Sequence, residues 1–559
     1  MKAEIVPLGL NAGTFHDNNR VLRRYCCPYL FAVLIMFAGL FLRMCTLHEQ
    51  SVWNDEYVSV AYLDAPHWSA FQDGYKQHDR YMPPVYYAML YGWARLAGNS
   101  AWMLRMLSVL ISIVSLCLVY VIGKHLFGSG GALCAMTLFA FSPQQIYHAQ
   151  GIRCYSLVVL LGLLSAFTFL RMLHRGGRVW WTANVVCTVL LVWTHLGGLL
   201  LLCAWSAGGL LWLCQYRVRI IAWLAAQGFL ILPLLGIAAL TMRDQSAMGA
   251  GSLASLNPFM FLVVLIAPFF KDSAYLLDAL PGEYVLNAKV FAPWYIGGKN
   301  MLIGVSLLLA FFLAISVVLV CVTAVKRVWA HYGISAGDDL RDKLNTTQGN
   351  FSLRNADHTI GFLLIWFCVP AFLLFVPVCM VNFSALVPRY TIFSSPSLHF
   401  LAISGALLVH KQRHRRLLLS GTISCMIILG ICCVFLPMRG NYLALGRLLA
   451  ADRERSPIVL FGDSALLVSQ VAYNGSLDEN IMKQVYSISE MRSWLEDNIS
   501  TTGSAWIVIE ETHAFENNDM PAAIKDMLLE MGLCHTRSII WGPQILVVYD
   551  VSLNKDGCD

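Results

Sequence analysis

The stretch Ser51-Val52-Trp53-Asn54-Asp55-Glu56-Tyr57 directly follows the first long apolar segment of the chain, Pro28 to Leu47. An apolar run of about 20 residues is long enough to cross the hydrocarbon core of a bilayer. Charged side chains close to the hydrocarbon are costly, so two adjacent carboxylates there are functional candidates by default. The segment therefore predicts a membrane protein and marks Asp55 and Glu56 as the first residues to consider for chemistry.

The composition supports the membrane class. The chain has 559 residues, of which 58% are hydrophobic and 13% charged, and soluble domains carry about 25% charged residues. The net charge is only +6, and the basic residues lie in short loops between apolar segments, which argues against a nucleic-acid partner. Most of the 17 cysteines lie inside apolar segments, as small hydrophobic residues do, rather than in a disulfide framework.

Apolar runs along the chain predict eleven membrane spans, near residues 27–46, 103–123, 131–148, 154–172, 179–195, 197–214, 219–241, 301–325, 359–381, 391–410 and 417–437. Lys and Arg are concentrated in alternate short loops, and this bias places those loops and the N-terminus in the cytoplasm. The opposite face then carries three larger pieces, residues 48–102, 242–300 and 440–559.

The tail beyond residue 440 has a different pattern. Apolar β-rich runs alternate there with helical patterns, the runs at Ile458–Phe461, Ala505–Ile509 and Ile545–Tyr549 and the helices at Ala465–Ala472, Ile488–Leu495 and Pro521–Met531. Alternating strands and helices predict a small α/β domain with a mainly parallel sheet, here ending in a hairpin around Gly542-Pro543. We therefore predict a transmembrane domain over 1–440, with 48–102 as its first outer loop, and an outer-face domain over 441–559.

Two interpretations of Asp55 and Glu56 follow from the residues alone. Asp55 could accept a proton from an acceptor hydroxyl as a general base, with Glu56 as a helper or metal partner. Alternatively, the pair could cap a helix over Tyr57–Leu63 and interact with its dipole. The spacing does not separate the two.

Three arginines of the predicted outer face stand next to tyrosines, in Arg80-Tyr81, Arg153-Cys154-Tyr155 and Arg389-Tyr390. Arginine on this face runs against the charge bias of the loops. A guanidinium matches phosphate oxygens through a bidentate fork, which makes phosphate binding one interpretation. The other is structural, with Arg153 paired to an acid of the 48–102 loop and Arg80 anchored at the lipid headgroups.

The order of motifs resembles a known family. It runs W-x-D-E at 53–56, PP-x-YY at 83–87, R-x-x-S at 105–108, LFG at 126–128, SP at 142–143, Q-x-x-R-x-Y at 150–155 and R-Y at 389–390. Motifs for nucleotide binding, zinc proteases and hydrolases are absent from the sequence. The order resembles the polyprenyl-phosphate-sugar-dependent glycosyltransferases of the GT-C superfamily, among them the protein O-mannosyltransferases of family 39 and the lipid A aminoarabinose transferases. It covers residues 28–175 and a short stretch at 385–400.

The resemblance implies an α-helical polytopic membrane fold of GT-C type and assigns roles to particular residues. Asp55 matches the catalytic acid, with Glu56 second, and the donor phosphate would be held by Arg80, Arg153 and Arg389. Tyr81, Tyr155, Tyr390 and Gln150 are candidate substrate contacts. Relatives commonly carry an acid where this chain has Gly151. This departure weakens a metal role; no cofactor follows from the sequence, and a divalent cation is left open.

The sequence thus predicts an integral glycosyltransferase of the bacterial inner membrane, with its catalytic face in the periplasm. A lipid, glycan or protein hydroxyl, deprotonated by Asp55, would attack the anomeric carbon and invert it. The polyprenyl phosphate leaves as an anion, so one base and a group of cations suffice. The alternatives are a transporter or flippase of lipid-linked sugars, for which charged and broken helices are typical, and a non-catalytic subunit of a glycosylation complex.

Overall fold

The computed structural model describes most of the transmembrane part and the centre of the tail. The described residues are 14–48, 50–52, 54–78, 82–211, 216–228, 292–331, 360–373, 392–435, 442–450, 456–461, 482–485, 487–502, 504–511, 522–540 and 545–553. The predicted helix Ala465–Ala472 lies outside these ranges.

Helices dominate the first 450 residues. They are α1 Thr14–Met44, α2 Asn54–Val60, α3 Trp68–His78, α4 Val85–Ala97, α5 Ala101–Ala140, α6 Pro143–Ala149, α7 Tyr155–Arg175, α8 Arg178–Thr194, α9 Gly198–Leu210, α10 216–228, α11 Ala292–His331, α12 Ile360–Leu373, α13 Ser395–Leu407, α14 Gln412–Phe435 and α15 Tyr442–Ala450. The tail adds α16 Ile488–Thr502 and α17 Ala522–Glu530.

The helical membrane class predicted from the sequence is confirmed. Among the described residues, four helices have segments long and apolar enough to cross a membrane, Ala101–Ala140, Tyr155–Arg175, Gly304–Val325 and Gln412–Cys432. Three shorter apolar helices accompany them, Pro28–Met44, Gly198–Leu210 and Ile360–Leu373. The total of eleven spans stays a prediction.

Helix α5 is broken at Gly128, whose φ of 75° and ψ of −177° lie outside the helical region. A Cβ built on Gly123 would lie 3.0 Å from the Cα of Ala132. Nine residues of straight helix span about 13.5 Å, so the two halves must fold back on each other. This hairpin agrees with two separate spans, although the predicted second one, 131–148, ends early at Ala140 because Pro143 starts the new helix α6.

The first outer loop is folded into three short helices, α2 to α4. The predicted helix Tyr57–Leu63 is present but lies earlier, at Asn54–Val60, and the stretch after Pro83-Pro84 forms α4. Their aromatic side chains pack together, with ring centroids 4.4 Å apart for Phe71 and Tyr91 and 5.5 Å apart for Tyr62 and Phe71. These rings belong to the same hydrophobic cluster as the buried residues of α5 and α7, so the loop packs onto the spans.

The tail contains a five-stranded sheet flanked by α16 and α17. Its strands are β1 Ile458–Phe461, β2 Met482–Val485, β3 Ser504–Glu511, β4 Leu533–Ile540 and β5 Ile545–Leu553, in the order β2-β1-β3-β5-β4. β1 is parallel to β2 and β3, whereas β5 is antiparallel to β3 and β4. The predicted terminal hairpin is confirmed, but the sheet is mixed rather than mainly parallel, since so short a link between β4 and β5 permits only antiparallel pairing.

Candidate active site

Glu56 is completely buried on the inner side of α2. Its Oε2 pairs with Nη2 of Arg105 at 2.9 Å, and neither side chain is more than 1% exposed. Its Oε1 accepts a hydrogen bond from the backbone N–H of Ile152 at 2.8 Å. One carboxylate therefore joins three separate segments of the chain, namely α2, the start of α5 and the turn that precedes α7.

Arg105 extends this connection into the segment before α2. Its two terminal nitrogens donate to the backbone carbonyl oxygens of Leu47, Gln50 and Ser51 at 3.1, 2.7 and 2.8 Å. Sequence reasoning noted Arg105 only as part of a motif and assigned it no role. The signal was there, because an arginine in the first turn of a predicted span is costly unless it is paired.

Asp55 occupies the first turn of α2, next to Glu56 but partly exposed. Successive residues of a helix point about 100° apart, so one carboxylate can be buried while its neighbour lies near the surface. The position in the first turn is also favourable for an acid through the helix dipole. The general-base and helix-dipole interpretations of Asp55 both fit its place in the fold, whereas a capping position does not, because α2 already begins at Asn54.

Arg153 lies directly against α2. Its Nη1 donates to the backbone carbonyl of Asp55 and to the hydroxyl of Ser59, each at 2.9 Å, and the residue is only 8% exposed. The candidate base and one candidate phosphate ligand, 98 residues apart in sequence, are thus neighbours in the structure.

Gln150 stabilises the outer end of α1. Its Nε2 lies 2.9 Å from the carbonyl oxygen of Cys45 and 3.3 Å from those of Leu42 and Arg43, and its Oε1 accepts from Gln50. The last carbonyls of a helix have no partner within the helix and need donors of this kind. This use of the amide favours a positioning role for Gln150 over the substrate contact predicted for it.

Tyr155 belongs to a row of buried rings. The ring centroids of His148 and Tyr155 are 4.6 Å apart, those of Tyr155 and His195 5.9 Å, and those of His195 and Phe393 5.4 Å. The backbone N–H of Gly197 donates to Nδ1 of His195 at 2.9 Å, so in the neutral imidazole Nε2 carries the proton. Sequence reasoning missed His195, which stands at the end of a predicted span without any motif around it.

Tyr86 connects two of the motifs found in the sequence. Burial raises the pKa of its phenol, and the nearby hydroxyl of Ser108 opposes this only in part. The charges of Arg153 and Glu56 also act on the phenol, with opposite signs. Tyr86 therefore stays protonated, and its ring fills the space between α4, α5 and the turn before α7.

Arg43 is a buried cation that sequence reasoning did not single out. It is fully buried, and it donates to the hydroxyl of Ser112 at 2.8 Å and to the carbonyls of Ala140 and Gly39 at 2.9 and 3.0 Å. It thereby fastens the end of α1 to both halves of the α5 hairpin. An arginine within the first predicted span was the available signal, since such positions are rarely tolerated without partners.

Four predicted site residues, Arg80, Tyr81, Arg389 and Tyr390, lie outside the described residues. The convergence of three arginines on one phosphate therefore stays a prediction. Within the described part of the chain, no group of three or more His, Cys, Asp or Glu side chains is arranged to hold a metal ion.

Residues 81–235 match the model of the dolichyl-phosphate-mannose-protein mannosyltransferase family. The matched stretch includes the R-x-x-S and Q-x-x-R-x-Y motifs, so the resemblance predicted from the motif order is confirmed there. No match was found among curated protein sequences.

Solved structures of membrane glycosyltransferases are similar over most of the chain. ArnT from Cupriavidus metallidurans in the apo state is 11% identical, with 93% of this chain and 97% of that chain covered and a TM-score of 0.41. ArnT from the same organism bound to undecaprenyl phosphate is 12% identical, with 94% of this chain and 98% of that chain covered and a TM-score of 0.38. The Archaeoglobus fulgidus oligosaccharyltransferase tethered to an acceptor peptide is 11% identical, with 88% of this chain and 70% of that chain covered and a TM-score of 0.46. At these scores the likenesses carry no conclusion about what this chain binds or transfers.

Proposed function

We propose that this chain is an integral membrane glycosyltransferase that moves a sugar from a polyprenyl-phosphate donor to an acceptor hydroxyl. The family match over residues 81–235 supports the reaction class, and the long apolar helices support the membrane location. The observation that carries the proposal is the contact of Arg153 with the backbone of Asp55, because it joins a candidate phosphate ligand to a candidate base.

The chemistry follows from these two side chains. The carboxylate of Asp55 takes the proton of the acceptor hydroxyl, whose oxygen attacks the anomeric carbon while the bond to the phosphate oxygen breaks. The configuration inverts in this single displacement. The polyprenyl phosphate leaves as an anion, and Arg153, together with Arg80 and Arg389, would stabilise the charge that develops on it.

Glu56 has a different part in this proposal. Its carboxylate is buried in the pair with Arg105 and accepts from the N–H of Ile152, the residue next to Arg153. It holds the helix of Asp55 and the turn of Arg153 in register, and so orients both without touching the substrate. Relatives commonly carry an acid where this chain has Gly151, and here the carboxylate that contacts this turn comes from α2.

The membrane and its faces belong to the same proposal. The charge bias of the loops assigns the site to the outer side, which is the periplasm if the membrane is a bacterial inner membrane. A lipid, a glycan or a protein could supply the hydroxyl. The α/β tail would cover the site or position the acceptor.

The test is an Asp55→Asn variant of the full-length protein assayed with a panel of polyprenyl-phosphate sugars. Asn keeps the size of Asp and can cap a helix but cannot accept the proton, so turnover should fall about 10²- to 10⁴-fold. Release of the lipid phosphate is measured alongside thermal melting. Asp73→Asn is a matched control, since Asp73 is an exposed acid of the same loop, paired only loosely with the exposed Lys76 at 3.5 Å.

The result separates the proposal from its alternatives. Near-native turnover in Asp55→Asn contradicts the assignment of the base. A fall in melting temperature that parallels the loss of activity supports a structural role of Asp55 in the first turn of α2 instead. If purified protein binds lipid-linked sugars but releases no lipid phosphate with any acceptor, a transporter describes it better than an enzyme.

A further inference from the structure

A cavity of about 280 Å³ lies at the end of α7 opposite to the candidate active site. It is lined by residues from the end of α7, the start of α8 and α10, namely Met172, Gly176, Gly177, Arg178, Trp181 and Arg219. These residues are called the basic pocket below. Helix α7 has 21 residues and spans about 30 Å, so the basic pocket and Arg153 are separated by the thickness of a bilayer core.

The turn beneath the basic pocket allows the guanidinium of Arg219 to approach the end of α7 closely. Gly176 and Gly177 form the whole link between α7 and α8, with φ of 66° and 89°, a region that glycine adopts without strain. Arg219 donates to the carbonyl of Leu173 at 2.6 Å. A Cβ on Gly176 would lie 2.9 Å from the guanidinium of Arg219. The absence of a side chain at Gly176 leaves room for this cation at the end of α7.

The basic pocket has a surplus of positive charge. Arg171 and Arg175, in the last two turns of α7, are further cations in the vicinity. The sequence contains no Asp or Glu between residues 80 and 243. Where the structure describes side chains, the carboxylates lie in residues 55–73 and 490–550. The counter-charge must therefore come from another part of the chain or from outside the protein.

The surroundings of the basic pocket are those of a membrane interface. The guanidinium of Arg171 lies 5.0 Å from the ring centroid of Phe167 and 5.8 Å from that of Trp180. Beside the arginines, Val179 and Val218 are 75% and 81% exposed, as residues facing acyl chains are. Trp and Tyr are typical of the headgroup level, and arginine side chains there extend toward lipid phosphates.

We propose that the basic pocket binds the headgroup phosphate of an anionic phospholipid. Arg178 and Arg219 would pair with the phosphodiester oxygens, and the acyl chains would lie along the exposed apolar side chains of α8 and α10. Basic pockets between transmembrane helices bind anionic headgroups in this way. The site goes beyond the proposed glycosyl transfer, since it uses none of the residues assigned to that reaction.

The experiment measures lipid binding to the purified full-length protein by native mass spectrometry. Phosphatidylglycerol and phosphatidylcholine with identical acyl chains are titrated against wild type and Arg178→Gln. We expect wild type to prefer phosphatidylglycerol and the variant to bind it about tenfold more weakly, the loss of one charge-assisted contact. Arg413→Gln is the matched control, because Arg413 is an exposed arginine in the first turn of α14, at a helix end that the charge bias assigns to the same face. It should change the affinity less than twofold.

Three outcomes would overturn the proposal. The first is equal binding of the two lipids by wild type. The second is an equal loss in Arg178→Gln and Arg413→Gln, which would indicate diffuse attraction by the whole face. The third is displacement of phosphatidylglycerol from wild type by a polyprenyl monophosphate at lower concentration, which would make the pocket a second site for the donor lipid. An Arg219→Lys variant keeps the charge but lacks the fork, so it should bind phosphatidylglycerol less well than wild type and better than Arg178→Gln.

Discussion

Replacing Glu56 by Gln should lower the stability of the protein clearly, and it should slow turnover less than the loss of Asp55 does. The substitution preserves the shape and one acceptor oxygen but removes the negative charge from a pair in which both side chains are at most 1% exposed. Arg105 then stays buried and positive, and it keeps the carbonyls of Leu47, Gln50 and Ser51 as acceptors besides the neutral amide. The Gln oxygen can serve Arg105 or the N–H of Ile152, and it serves either less strongly than a carboxylate.

The magnitude follows from these contacts. Removing one member of a buried ion pair costs about 3–5 kcal/mol. At least three backbone acceptors remain for Arg105, so we expect a value at the lower end, about 3 kcal/mol, and for a chain of this length a fall in the melting temperature of about 3 °C. Turnover below the onset of melting should fall less than the 10²-fold or more expected on loss of the general base, because Asp55 keeps its carboxylate.

The assay combines thermal melting in detergent with initial rates over a range of donor concentrations. The Glu56→Gln/Arg105→Gln double variant is the control for the pair, since two neutral amides leave no unbalanced charge. It should be more stable than the sum of the two single changes predicts, with a coupling of about 1–3 kcal/mol. The reasoning is refuted if Glu56→Gln melts within 1 °C of wild type, or if the two single effects simply add.

Two further predictions concern the frame around the site. Gln150→Ala should lower the melting temperature, because the hydrogen-bond donor to the end of α1 is lost at a cost of about 1–3 kcal/mol. The KM for the sugar donor should change little. A large rise in this KM with unchanged melting would favour the substrate contact instead. Gly123→Val should destabilise the α5 hairpin by about 1–3 kcal/mol through overpacking against Ala132. Gly130→Ala is the control and should be nearly neutral, because there is open space around the added Cβ. Equal melting of the two variants would contradict the close packing of the hairpin.

Local features of the sequence were enough to predict the class of the protein and many of its elements. The apolar runs and the low charge require a membrane solvent, whatever the packing. The short helix around Asp55 follows from local signals and is present as α2. The order of motifs from Trp53 to Tyr155 was enough to predict the family resemblance, because comparing motif order needs no structural information.

In the tail, the periodicity of the sequence predicted individual strands but not how they are ordered in the sheet. Each predicted strand at Ile458–Phe461, Ala505–Ile509 and Ile545–Tyr549 exists, yet the sheet is mixed and has an additional strand at Met482–Val485. A four-residue strand such as β2 is too short to show a period of its own. Which strands become neighbours depends on the burial of side chains from distant segments, and local patterns do not contain that information.

Only the tertiary structure decided what the buried polar residues do. The sequence presents Asp55 and Glu56 as an equivalent pair, and the fold buries one against Arg105 while leaving the other partly exposed. It likewise turns Gln150 toward the end of α1 and Arg43 toward the α5 hairpin. The physical reason is that a polar group excluded from water must find partners wherever the chain brings them. The partners of Arg105, Arg153 and Gln150 lie about 50 to 110 residues away in the sequence, so no local pattern records them.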